Sequence, residues 1–237
     1  MDFSEYIVFF ASCIVTFIFL KQWYLPLFKT LETTGSNATK KILGSLPVIF
    51  AVFIYFILKN FASFDVIGIY VIFYIILGFA WMFVCLLLMK IFFDIHWPDD
   101  PLHRNNKSSL IAITANFFAS AFIYAGSNTG DGPGWWCVLF AGSLGIASWI
   151  ILGLIIHFFT GIFDRITIER NTGCSVRYLI YILLSGAILG YGCSGDWTSF
   201  SMTVIEFSAA WPVLPLTAVF IIIEVIIRQK EKYGVSN

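Results

Sequence analysis

The sequence predicts an all-α, polytopic transmembrane bundle of about seven helices, and three observations carry that prediction. Of 237 residues, 59% are hydrophobic and 12% charged, with a mean hydropathy of +0.88, too apolar for a water-soluble domain of this length. The apolar residues fall in seven long runs, near 6–28, 42–61, 66–90, 108–126, 135–160, 175–192 and 201–227. A hydrocarbon core of ~30 Å needs about 20 such residues per helix, whereas barrel strands would alternate over about ten. Third, the segments between the runs hold nearly all the charges and the Asn, Gly and Asp turn formers.

Each run is then placed by its flanks. The leading helix occupies 1–30, behind an acidic Met1-Asp2-Phe3-Ser4-Glu5 that lacks the basic region and cleavage site of a signal peptide. The segments after the first, third, fifth and seventh runs carry Lys21, Lys29, Lys40 and Lys41; Lys90, Arg104 and Lys107; Arg165, Arg170 and Arg177; and Arg228, Lys230 and Lys232. Only Lys59 lies on the other side, so the positive-inside rule predicts an outside N-terminus and a cytoplasmic C-terminus. On this topology the sequons Asn37-Ala38-Thr39 and Asn106-Lys107-Ser108 face the cytoplasm and stay unglycosylated. Formal net charge is zero, which gives no field for nucleic acid. The five cysteines show no CxxC spacing and read as small apolar residues.

The chain also repeats itself. His103-Arg104-Asn105-Asn106-Lys107-Ser108-Ser109 aligns with Glu169-Arg170-Asn171-Thr172-Gly173-Cys174-Ser175 at a spacing of 66 residues, and Ala121, Gly126 and Gly130-Asp131 align with Ala187, Gly192 and Gly195-Asp196. A fainter copy starts at Ser36-Asn37-Ala38-Thr39 and turns at Asp65. One transmembrane domain, 1–237, is therefore expected as a leading helix plus two-helix repeats at 36–93, 104–163 and 170–228, opening at Asn37, Asn105 and Asn171. Two helices per copy make the repeats parallel, related by an axis along the membrane normal.

Ile168-Glu169-Arg170-Asn171, followed by a small-residue helix ending Gly186-Ala187-Ile188-Leu189-Gly190-Tyr191-Gly192, resembles the bacterial inner-membrane family catalogued as domain of unknown function 350. The likeness covers roughly 104–227 and, loosely, 37–90. The sequence departs from that family's pattern at Thr172-Gly173-Cys174, where alanines usually follow the Asn. The resemblance implies the bacterial cytoplasmic (inner) membrane, paired two-helix repeats and a stress or envelope setting; it implies no catalysis.

Few residues carry chemistry. Asp65, Asp131 and Asp196 fall at equivalent outer turns and, were the units to pack around a common axis, would form an acidic ring of the kind that concentrates cations; Asp is also an ordinary turn residue. Glu206 lies about six residues into the last run, just before Pro212 and Pro215, whose missing donors predict a kink. Ala115/Ala119, Ala141/Gly145 and Gly186/Gly190 give close-approach helix faces, for a compact bundle or a homo-oligomer. Trp135, Trp136 and Trp197 on one side, and Trp23, Tyr24 and Trp97 on the other, are expected in interfacial belts. His96, His103, Asp99 and Asp100 are weak metal ligands with no recognised spacing. Glu224 is spaced to pair with Arg228 along its helix. Ser143 and His157 cannot form a dyad, being ~21 Å apart along one helix at 1.5 Å per residue. No motif for catalysis or a cofactor appears. Two classes stay open: an ion or small-solute pathway, and a membrane scaffold or sensor that recruits a cytoplasmic protein through 21–41, 90–107 and 161–177.

Overall fold

The structure is a computed structural model and describes residues 2–29 and 36–233; residues 30–35 of the 21–41 loop lie outside the described residues. Among those described, nine α-helices form: α1 Phe3–Phe28, α2 Asn37–Asn60, α3 Ile69–Phe93, α4 Lys107–Ser127, α5 Trp135–Thr160, α6 Ile162–Thr167, α7 Thr172–Gly192, α8 Phe200–Phe207 and α9 Val213–Tyr233. Six are long and apolar enough to cross a membrane, and the pair α8/α9, bent by 40°, makes the seventh. The chain is a multi-pass membrane protein. Pro212 sits in the break, while Pro215 is the third residue of α9, where a missing N–H costs no intrahelical bond.

Successive spans run in opposite directions, so Glu5 and the turns bearing Asp65, Asp131 and Asp196 gather at one end. The opposite end holds the C-terminus of α1 and the openings of α2, α4 and α7. Within the bundle α2, α4 and α7 form one row and α3, α5 and α9 a second, with α1 against α3. The hairpins thus lie side by side rather than around a common axis, which corrects the expected ring: α4 sits between α2 and α7, and 72% of its span is buried.

Absent Cβ atoms allow the α4–α7 approach. A methyl group on Gly186 would lie 2.6 Å from Ala119 Cα, one on Gly190 would meet the Phe122 carbonyl, and one on Gly126 would overlap the Gly190 carbonyl. On the other flank, a methyl on Gly145 would lie 2.6 Å from Ile123 and 2.8 Å from Cys193 Sγ, and Cys193 Sγ donates to Ala141 O at 3.2 Å. These small-residue faces are occupied within the chain. Where lipid is as apolar as leucine, such close backbone packing replaces the hydrophobic effect.

The openings of α4 and α7 share one construction, 65 residues apart. Asn106 Oδ1 accepts from Ser108 N and Ser109 N, and Asn171 Oδ1 from Cys174 N. Each cap follows a residue with a left-handed backbone, Asn105 (φ 48°) and Arg170 (φ 54°). Before them, Arg104 N and Asn106 N donate to Asp99 O and Asp100 O, and Glu169 N and Asn171 N donate to Asp164 O and Arg165 O. Asn105 is therefore not the opening residue: of two adjacent asparagines, the second has the extended backbone that a cap requires, and the spacing becomes 65 in place of 66. Asn37 likewise is the first helical residue of α2, and Ser36 caps it. The expected loop after α5 contains α6, introduced by Gly161 at φ 63°.

The opposite turns form a ladder. Gly130 N donates to Phe61 O, and Gly195 N donates to Thr129 O, each turn binding the preceding one. Asp196 Oδ1 accepts from Asp131 N at 2.8 Å, and Trp197 N donates to Asp131 O. At the other end Trp23 is buried, stacked on Trp97 at 4.1 Å and donating to Leu43 O, so it is a core residue and not part of an interfacial belt.

Replacing Gly126 by alanine is expected to destabilise the protein by about 3 kcal/mol or more, because the backbone opposite cannot move aside as a flexible side chain would. Thermal unfolding in detergent measures this, and Gly44→Ala, whose methyl would meet only Leu27 at 3.8 Å, serves as control.

Candidate functional site

One cavity of about 100 Å³ opens at the acidic end, with room for several water molecules. Asp65, Asp131 and Asp196 line it from the three turns, Glu206 from α8 and Glu5 from the first turn of α1. Glu5 also accepts from Asp2 N, closing a capping box, and from Tyr70 OH at 3.1 Å, which ties α1 to α3. The floor is made by Tyr74, Asn128, Cys137, Val138 and Ala141. Asn128 Nδ2 donates to Tyr124 O, and Tyr124 OH donates to Tyr74 O, so the floor is cross-braced.

Four of these carboxylates were candidates from sequence, and the structure brings them to one cavity; Glu5 was not recognised, because an acidic residue in the first turn of a helix reads as a capping residue. Glu206 differs from expectation. It lies on an exposed face of α8, with Oε2 3.8 Å from where a Cβ on Gly195 would be, and so belongs to the vestibule rim and not to a buried position above a kink. α8 is a separate short helix against α5 and α7, which turns that face outward.

Beneath the floor the bundle closes. Trp81 lies against Tyr124, with ring centroids 6.0 Å apart, and fills the space left by Gly142. Deeper still, Met82, Cys85, Met89, Asn116, Ser120 and Trp149 meet along the α3/α4/α5 seam and leave no room for a water molecule.

The opposite end holds a buried ion-pair network that sequence reasoning missed. Glu224, fully buried on α9, accepts from Arg165 Nη1 at 2.7 Å and from Nε and Nη2 of Arg177. Arg165, 2% exposed, also reaches Glu231 at 2.7 Å. Arg228 does not pair with Glu224 but donates to Thr160 O, one of the free carbonyls at the end of α5. A buried carboxylate takes the donors that desolvation leaves it, here across helices rather than along its own.

The weak metal candidates are used up otherwise. His96 pairs with Asp94, His103 with Asp99, and Asp100 with Arg104 and His96 N. Among the described residues no three His, Cys, Asp or Glu are placed to hold a metal ion. His157 stacks on Phe163 at 5.1 Å and accepts from Phe163 N, while Ser143 is exposed and donates to Phe140 O.

No family model, curated protein or solved structure matches the chain.

Glu224→Ala is expected to cost about 3–5 kcal/mol, since it removes the buried carboxylate that Arg165 and Arg177 share. Glu169→Ala, which removes a partly exposed partner 3.9 Å from Arg165, should cost about 1 kcal/mol or less. Unfolding of both variants in detergent gives the comparison.

Proposed function

We propose that this chain is a bacterial inner-membrane protein built of a leading helix and three parallel hairpin repeats, and that its acidic vestibule is the outer mouth of a pathway for ions or small polar solutes. The observation that carries the reading is the convergence of five carboxylates, from α1, three separate turns and α8, on one cavity with room for several water molecules. Structural turns alone need no such convergence, whereas a mouth that attracts or sorts solutes by charge is built this way. The common construction of the α4 and α7 openings and the ladder of turns support duplication. The clustering of all Lys and Arg but Lys59 at the other end supports an outside vestibule.

A non-conducting scaffold or sensor that recruits a cytoplasmic protein is the second reading. The closed packing under the vestibule floor favours it.

Flux across liposomes carrying the purified protein separates the two. With K⁺, urea and glycerol as test solutes, the pathway reading expects at least one to cross faster than in empty vesicles. Its rate should change several-fold when Asp65, Asp131 and Asp196 become Asn and Glu206 becomes Gln. No flux of any of them supports the scaffold. For topology, a C-terminal reporter active only in the periplasm is expected to stay silent.

A further inference from the structure

The interior of the bundle carries hydrogen-bond donors that nothing among the described residues accepts from. Asn116 and Trp149 are each 2% exposed, and both Asn116 Nδ2 and Trp149 Nε1 lack a partner. They come from different helices, α4 and α5, yet line the same closed pocket with Cys85 and Ser120. A buried donor without an acceptor costs about 1–3 kcal/mol, and in a membrane no solvent offsets it. Two such residues lining one pocket are an expensive way to pack a core, and a guest that accepted from both donors would offset that cost.

The pocket lies directly under the vestibule. Along α3, α4 and α5 its residues are 8–15 positions beyond Tyr74, Asn128 and Ala141 of the floor, roughly 12–22 Å deeper at 1.5 Å per residue. Trp81 stands between the two levels, and its Nε1 is also unpartnered. Along α4 and its C-cap the polar residues Asn128, Tyr124, Ser120 and Asn116 follow one another every four positions, a stripe down one helix face. Ser109, seven positions beyond Asn116 on the same face, has a buried, unpartnered Oγ. Stripe and orphan donors together trace a line through the bundle, closed in this conformation.

The chemistry of that line excludes both kinds of ion. No Lys or Arg lines the pocket to compensate an anion, and the carboxylates above repel one. A cation needs acceptors to replace its hydration shell, but the groups left free at the pocket, Asn116 Nδ2 and Trp149 Nε1, are N–H donors. We propose that the seam between α3, α4 and α5 binds small neutral hydrogen-bond acceptors, such as urea, small alcohols or water, at Asn116 Nδ2 and Trp149 Nε1 when it opens. This rests on the pathway reading and names the class of solute the path takes.

The test is stopped-flow light scattering on proteoliposomes with urea and glycerol, run beside K⁺ and Cl⁻ flux. Trp149→Phe removes one N–H with little change of shape, and Asn116→Leu removes the other. Each is expected to slow neutral-solute entry roughly tenfold, as the loss of one hydrogen bond in the path implies, while the wild type passes neither ion. Should Asn116→Leu fail to fold because the Tyr178 hydroxyl loses its acceptor, Trp149→Phe alone decides. Neutral-solute entry unchanged in the folded variants overturns the site and leaves the pathway standing. Passage of K⁺ overturns the solute class, again leaving the pathway. No flux of any solute in the wild type overturns both.

Discussion

The close contact of α4 with α7 is the constraint on which the other features depend. With no side chain at Gly126, Gly186 and Gly190, the two helices meet backbone to backbone, and van der Waals packing does what water cannot do in a bilayer. That approach brings the turn after α7 within reach of the turn after α4, so Gly195 can bind Thr129 and Asp196 can bind Asp131. It also brings Asn106 to Ile166 and Thr167, whose carbonyls accept its Nδ2. One steric fact therefore aligns both ends of two hairpins, and the vestibule is a consequence of that alignment.

Polar groups are distributed along the bundle in three different ways. At the acidic end the carboxylates sit around an open cavity. At the other end charges are buried but answered, Glu224 by two arginines and Arg165 by three carboxylates. Between them are neutral groups, several of them donors without acceptors. An interior built only for stability would have apolar residues at Asn116 and Trp149, as it has at Ile113 and Ile146. A membrane protein that retains polar groups at such depth commonly uses them.

The buried network also shows why local spacing misleads at a helix surface. Glu224 and Arg228 are correctly spaced for an intrahelical pair, worth a few tenths of a kcal/mol when exposed. Once α6 and α7 bury Glu224, its carboxylate must be fully hydrogen-bonded or pay a desolvation cost far above that figure, and the two arginines already facing it prevail. Arg228 is released to close the end of α5.

By itself the sequence determined that the chain is a bundle of six or seven apolar, membrane-length helices, because the length of an apolar run is a one-dimensional quantity. It also singled out Asp65, Asp131 and Asp196, which the structure brings to one cavity, and placed Pro212 at the bend of the last span. It could not choose between Asn105 and Asn106, since the two differ only in backbone angle. Nor could it show that Glu5 would join those aspartates, that Glu206 would face outward, or that Asn116 and Trp149 would meet. Those pairings join residues tens to hundreds of positions apart, and only the packing of hairpins side by side, decided by where glycine lets two backbones touch, brings them together.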